Sequence, residues 1–72
     1  MVNIPKLKGK IIENGFSIES LADAINMHRA TLYRKMSAGG ETFLIKEAGA
    51  ISETLKLSSE EASAIFFSHI VA

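Results

Sequence analysis

The chain contains no cysteine, no tryptophan, a single proline and no long apolar run. The lack of cysteine excludes disulfides, Cys-ligated zinc and cysteine nucleophiles, and it is compatible with a reducing compartment. No apolar stretch reaches the roughly 18 residues that a membrane span needs, and residues 1–5 are too mixed for a signal peptide. We therefore expect a soluble protein that lies in the cytoplasm and has no membrane partner.

Signals for catalysis and for cofactors are also missing. The two histidines, His28 and His69, have no spacing that is typical of a metal site. The glycine pair Gly39-Gly40 is not followed by the Lys-Ser/Thr that a phosphate-binding loop requires. The sequence therefore predicts no enzyme activity, no cofactor and no metal.

The apolar fraction is large, at 47% of the 72 residues, which is enough for the core of one small domain. Basic and acidic residues balance at eight each, so the formal net charge is zero. The signs are separated along the chain, since residues 1–36 hold six basic and three acidic residues, whereas residues 37–72 hold two and five. The zero sum disfavours strong non-specific DNA binding, although the first half is positive.

Apolar residues recur at helical spacing throughout, and no stretch alternates with the period of a strand. Asn14-Gly15 and Gly39-Gly40 are typical helix stops, Ser17 is a typical N-cap, and Ser58 with Glu61 has the spacing of a capping box. The sequence thus predicts a compact all-α domain of five helices over residues 1–72. The predicted helices cover residues 5–13, 18–25, 29–36, 42–55 and a fifth segment that begins after Ser58.

The last two predicted helices have clear apolar faces. In the fourth helix we expect these side chains to point inward: Phe43, Leu44, Ala48, Ile51 and Leu55. In the fifth helix the apolar face consists of Ala62, Ile65, Phe66 and Ile70. Phe67 and Val71 point away from that face on a helix, so they are candidates for a dimer or partner surface.

Residues 17–36 have the pattern of a helix-turn-helix. Two short helices that cross closely need a small residue at the crossing, and Ala22 occupies that position. The turn needs a residue that tolerates positive φ, and Asn26 is a common substitute for glycine there. The inner anchors are Leu21, Ile25, Met27 and Leu32. The alternative is a helical hairpin in a bundle with no role in nucleic-acid binding.

In a helix-turn-helix, the outward side chains of the second helix enter the major groove of DNA. Here these candidate DNA-binding or partner-binding residues are His28, Arg29, Ala30, Tyr33, Arg34, Lys35 and Ser37. Arg29 and Arg34 can pair with guanine edges or phosphates, or can simply be solvated. Tyr33 can contact a thymine methyl group or a phosphate, or can pack against the first helix.

The chain resembles the small Cro-like helix-turn-helix regulators of temperate phages of Gram-positive bacteria, which have a lambda-repressor-like fold. The resemblance covers most of the chain and rests on the segments LKGKIIE, LADAINMHRATLYRKM, FLIKEA, LKLSSEEA and IFF. Two positions depart from the pattern, because Asn26 replaces glycine and His28 replaces the usual Ser or Thr cap. The second change should weaken capping by up to about 1 kcal/mol.

This resemblance implies a regulator of the lysis–lysogeny switch in a bacterial host cell, and it leaves two functions open. Some members of the group are repressors that bind operator DNA, which for so small a module requires a dimer. Others are antirepressors, which modulate repression by binding the DNA-binding domain of the main phage repressor. The positive first half favours the former, so we expect a DNA-binding transcriptional regulator of Cro type. The zero net charge and the acidic second half favour the latter, so the antirepressor is the alternative.

Overall fold

A computed structural model describes residues 2–67 of the chain. This part is all-helical and compact, with a Cα radius of gyration of 10.9 Å, and contains no β-strand, as the sequence predicted. Within residues 2–67, no helix combines the length and the apolar character that crossing a membrane requires. The five helices are α1 (Ile4–Glu13), α2 (Ile18–Ala24), α3 (Arg29–Ser37), α4 (Ile45–Thr54) and α5 (Ser59–Phe66).

Helix α1 begins one residue earlier than predicted, because the side chain of Asn3 caps it. Asn3 Oδ1 accepts a hydrogen bond from the backbone N–H of Lys6 at 3.1 Å, which satisfies one of the donors left open at a helix start. Pro5 lies in the first turn, where its missing N–H is not needed. The helix ends at the predicted stop, where Gly15 has a φ of +79°.

Helices α2 and α3 are short and are joined by residues 25–28. Ser17 caps α2 as predicted, accepting a hydrogen bond from the N–H of Ser20 at 3.0 Å. Asn26 has a φ of +57°, which confirms the positive φ expected of it. His28 caps α3 through Nδ1, which accepts from the N–H of Ala30 at 3.3 Å. That distance is long for a hydrogen bond, in line with the weak cap expected at this position.

Helix α4 begins three residues later than predicted. Leu44 is the N-cap residue and its side chain is 51% exposed, so the inward position predicted for it is wrong. The carboxylate of Glu47 reaches back and accepts the N–H of Leu44 at 2.9 Å, which fixes the first turn at this point. The apolar periodicity predicts too long a helix here, because it carries no information on the hydrogen bond between the Glu47 carboxylate and the Leu44 N–H.

Helix α5 begins with the predicted capping box. Ser58 Oγ accepts from the N–H of Glu61 at 3.1 Å, and Glu61 Oε1 accepts from the N–H of Ser58 at 2.9 Å. Ile65 and Phe66 are buried as expected, Ala62 is half-buried, and Ile70 lies outside the described residues.

A single apolar core draws on all five helices and contains no polar side chain among the described residues. Phe43, just before α4, meets the buried ring of Phe66 edge-on, with the ring centroids 6.1 Å apart. Ile25 and Met27 are only half-buried and pack at the edge of the core. The buried side chains are Leu7, Ile11, Leu21, Ala22, Leu32, Met36, Ala48, Ile51, Leu55, Ile65 and Phe66.

Candidate functional site on helix α3

The outer face of α3 carries most of the side chains that the sequence placed there. Leu32 and Met36 anchor the inner face of this helix in the core, which turns the opposite side toward solvent. Six of the seven candidate residues are exposed: His28, Arg29, Ala30, Tyr33, Arg34 and Ser37. The seventh, Lys35, is not.

Arg29 is bound to Asp23 of α2. Its Nε donates to Asp23 Oδ1 at 3.1 Å, and a terminal nitrogen donates to Oδ2 at 2.6 Å, which is the bidentate geometry of a strong guanidinium–carboxylate pair. Each side chain remains more than half exposed. The bonds to Arg29 lower the pKa of Asp23, and the same pair raises the pKa of Arg29. Two of the roughly five N–H donors of Arg29 are therefore already engaged by a carboxylate.

Tyr33 makes a similar bond one turn further along. Its hydroxyl donates to Glu19 Oε2, again on α2. This bond lowers the pKa of Glu19, and the adjacent carboxylate raises the pKa of the Tyr33 hydroxyl. Glu19 and Asp23 are four residues apart on α2, and Arg29 and Tyr33 are four residues apart on α3. Together these four residues form two parallel cross-links, here called the α2–α3 ladder.

Lys35 does not join the exposed face. Its side chain is only 14% exposed, and its ammonium group donates to Glu47 Oε1 at 2.7 Å and to the carbonyl of Thr42 at 3.0 Å. Lys35 follows Leu32 by three residues, so it lies at the edge of the buried stripe of α3. The structure thus directs it toward α4, away from the surface where the sequence placed it.

Three polar residues remain on the face without a link to α2. Arg34 is exposed and has no ion-pair partner within residues 2–67. Ser37 is exposed at the end of α3, and His28 is exposed at its start, with Nδ1 turned back toward the backbone. These three side chains are therefore the polar groups on this face that are available for direct contact with a target.

An apolar groove adjoins the ladder. It has a volume of about 320 Å³ and is lined by residues of α1, α2, α3 and the α1–α2 connection. Tyr33, 43% exposed, forms part of its wall, and Ile12 of α1, 74% exposed, stands beside it. Tyr33 thus lines the same groove as residues of α1, and its hydroxyl is bound to Glu19 of α2.

A second groove lies elsewhere on the surface and shares no lining residue with the first. Phe67 is 40% exposed and lines this groove with Phe43 and Leu44. The exposure predicted for Phe67 is thus confirmed. Val71, the other residue predicted for that surface, lies outside the described residues.

The acidic half of the ladder was not among the predicted site residues. Its signal in the sequence was the matching four-residue spacing of Glu19 and Asp23 on one helix and of Arg29 and Tyr33 on the next. Exposed Ile12 was also missed, because nothing in the sequence distinguishes it from the neighbouring apolar residue Ile11. Within residues 2–67, no three His, Asp or Glu side chains are grouped in a way that could hold a metal ion.

The exposed face formed by α2 and α3 has a mixed charge pattern. The α2–α3 ladder contains two carboxylates, one guanidinium and one phenol, with an apolar groove on one side and Arg34 exposed on the same helix as Arg29. The chain matches no family model, no curated protein and no solved structure in comparisons with known proteins.

Proposed function

We propose that this protein is a helix-turn-helix regulator of a phage lysis–lysogeny switch that acts as an antirepressor. In this proposal α2 and α3 are the two helices of the motif, with the turn at Asn26. The outer face of α3 docks on the DNA-binding domain of the main phage repressor and prevents that domain from reaching its operator. Support comes from the resemblance in sequence and from the electrostatics of the α2–α3 ladder.

The observation that carries the proposal is the neutralisation of the α3 face by α2. In helix-turn-helix proteins that read DNA, the first helix of the motif crosses the phosphate backbone. The corresponding helix here presents Glu19 and Asp23, whose lowered pKa values keep both carboxylates charged at neutral pH. Two carboxylates close to phosphates are repulsive, and the cation nearest to them, Arg29, is already paired with Asp23.

A protein target reverses this balance. The DNA-reading face of a repressor is basic, since it neutralises phosphates. The ladder, with two carboxylates against one guanidinium, has a net negative charge that complements this face. The ladder also holds both side-chain pairs in place before binding, which lowers the entropy lost when the surfaces meet. An overall charge of zero favours such a contact over non-specific attraction to DNA.

The test uses the cognate phage repressor, which this proposal expects to be encoded by a neighbouring, divergently transcribed gene. Isothermal titration calorimetry of this protein into the isolated DNA-binding domain should give a complex with a Kd of about 1 μM or tighter. The same mixture should lose operator binding in a gel-shift assay. Two species that elute separately and unshifted from a size-exclusion column at micromolar concentration would contradict the proposal.

Direct operator binding is the second candidate, and the exposed Arg34 is the observation that favours it. A guanidinium without an ion-pair partner in residues 2–67 can make a bidentate contact to guanine. This function requires a homodimer, because one module of this size makes too few base contacts for specificity. Arg34→Ala should then weaken operator binding by about 1–3 kcal/mol. Absence of any gel shift by the wild-type protein at low salt would rule the candidate out.

A further inference from the structure

Ile12 is a large apolar side chain left in solvent beside the face of α3. It is 74% exposed, although Ile11, its neighbour in the chain, is only 2% exposed and belongs to the core. Ile12 and the half-exposed ring of Tyr33 line the same groove of about 320 Å³. The half-buried side chains of Phe16 and Ile18 add to the apolar lining. Exposed apolar surface of this kind, rimmed by polar groups, is typical of sites that bind another protein.

The groove and the α2–α3 ladder are parts of one continuous surface. Tyr33 belongs to both, because its ring lines the groove and its hydroxyl is bound to Glu19. Lys8, which is exposed, contributes to the lining. The carboxylate of Glu19 is therefore hydrogen-bonded to Tyr33 in the groove wall, and the basic side chain of Lys8 is part of the groove lining.

We infer that this groove takes an apolar side chain of the partner protein, with a basic partner residue beside Glu19 and an acidic one beside Lys8. The inference rests on the proposed antirepressor function and adds which kind of partner side chain the groove would bind. A half-exposed tyrosine next to an aliphatic side chain is the composition of an interface hot spot, where one inserted side chain excludes water. Insertion would also shield the Tyr33–Glu19 bond from water and strengthen it.

A DNA target makes no comparable use of the groove. Phosphates and sugars present no apolar side chain that could fill it, and the adjoining Glu19 repels them. The groove therefore separates the two candidate targets, because its loss should impair binding to a protein and leave binding to DNA unchanged.

The test compares two isoleucine variants in calorimetric titrations with the isolated DNA-binding domain of the repressor. Ile12→Ser removes the groove wall, and Ile45→Ser is the matched control, because Ile45 is 83% exposed and lies in the other groove. Ile12→Ser should weaken binding at least about tenfold, whereas Ile45→Ser should stay within about twofold of the wild type. Thermal melts of both variants should resemble the wild type, which would show that each is folded.

Four results would overturn the inference. Wild-type affinity in Ile12→Ser would show that the groove is not used. Equal weakening by both variants would show a general effect of exposed apolar surface, and weakening by Ile45→Ser alone would assign the contact to the groove of Phe67. If the wild-type protein itself fails to bind the repressor domain, the proposed function fails and the inference fails with it. That result is distinct from the first, in which wild type and variant both bind.

Discussion

Lys35 of α3 and Glu47 of α4 form an ion pair, 2.7 Å between Nζ and Oε1, in which both side chains are more than four-fifths covered. The same Glu47 oxygen accepts the N–H of Leu44, and the same ammonium group donates to the carbonyl of Thr42. Burial raises the pKa of Glu47, but the Leu44 N–H and the Lys35 ammonium outweigh it, so the net shift is downward. The pair therefore ties the end of α3 to the start of α4.

Lys35→Met should destabilise the fold, even though a sequence pattern placed this residue in the target-binding face. The variant leaves a nearly buried carboxylate with only the Leu44 N–H and no cation, at a cost of about 1–3 kcal/mol. Arg34→Met is the control, since Arg34 is exposed, and it should change stability by no more than about 0.5 kcal/mol. Urea unfolding followed by circular dichroism measures both. The opposite result would be a Lys35→Met protein that is as stable as the wild type but does not bind its target. It would show that Lys35 belongs to the binding face.

The glycine pair after α3 should respond unequally to alanine. Gly39 and Gly40 both have positive φ, +78° and +76°, so either substitution incurs backbone strain of about 1–2 kcal/mol. A Cβ at Gly39 meets no atom within 4 Å, whereas a Cβ at Gly40 would lie 2.6 Å from the Cβ of Val2. Gly40→Ala should therefore lower the melting temperature more than Gly39→Ala does. Equal melting temperatures would show that the segment around Val2 moves aside without cost.

Glu61→Gln should reduce the sensitivity of the fold to acid. The bond to the Lys10 ammonium and the Ser58 N–H lower the pKa of Glu61 to about 2, from an ordinary value of 4.5. A carboxyl whose pKa is lower in the folded state stabilises the fold above pH 4.5, and this contribution is lost as the pH falls toward 2. Glutamine can still accept the Ser58 N–H, so the variant removes the charge pairing and keeps the cap.

Urea unfolding at several values between pH 7 and pH 2 would measure this effect. The wild type should lose stability steadily below pH 4.5, and Glu61→Gln should be less stable at pH 7 but should lose less on acidification. A residual slope is expected from Glu19, Asp23 and Glu47, whose pKa values are also lowered. Identical slopes in the two proteins would mean that the Lys10–Glu61 pair does not form in solution.

Asp23→Asn should shift the balance between the two candidate targets. The change removes a negative charge from α2 and releases Arg29, so any operator affinity should rise at low salt, with a salt dependence steeper by about one phosphate contact. Repressor binding should weaken, because a carboxylate that faces the basic domain is lost. Glu60→Gln changes the net charge by the same amount at an exposed position of α5, so it serves as the control. Fluorescence anisotropy with labelled operator over a salt series measures the operator affinity of both variants. Equal affinities of Asp23→Asn and Glu60→Gln would show that only the net charge matters.

The parts of the fold that sequence could predict are those encoded locally. Ser17, the Ser58–Glu61 capping box and Gly15 define their helix ends through neighbours within a few residues, and the structure confirms all of them. The start of α4 could not be predicted in this way. It depends on Glu47, whose position is fixed partly by Lys35 from a different helix.

In the candidate site too, the sequence could predict the features that are encoded locally but not those that depend on contacts between helices. Helical periodicity from Leu32 and Met36 was enough to predict which side of α3 faces solvent. It could not predict the α2–α3 ladder, because pairing between helices depends on their relative rotation and on how far each side chain extends. Lys35 shows the limit most clearly, since it lies at the boundary between the buried and exposed sides of α3, where a small rotation decides its contacts.

The backbone N–H of Asn3, at the cap of α1, donates to the carbonyl of Ile65 in the last turn of α5 at 2.7 Å. Helix α1 therefore lacks this hydrogen bond at its N-cap until α5 has been synthesised. Ile65 is itself fully buried, so the core also stays open until that point in synthesis. Folding of this domain should accordingly wait until α5 has been synthesised, and ribosome-bound chains that stop before α5 should remain sensitive to protease.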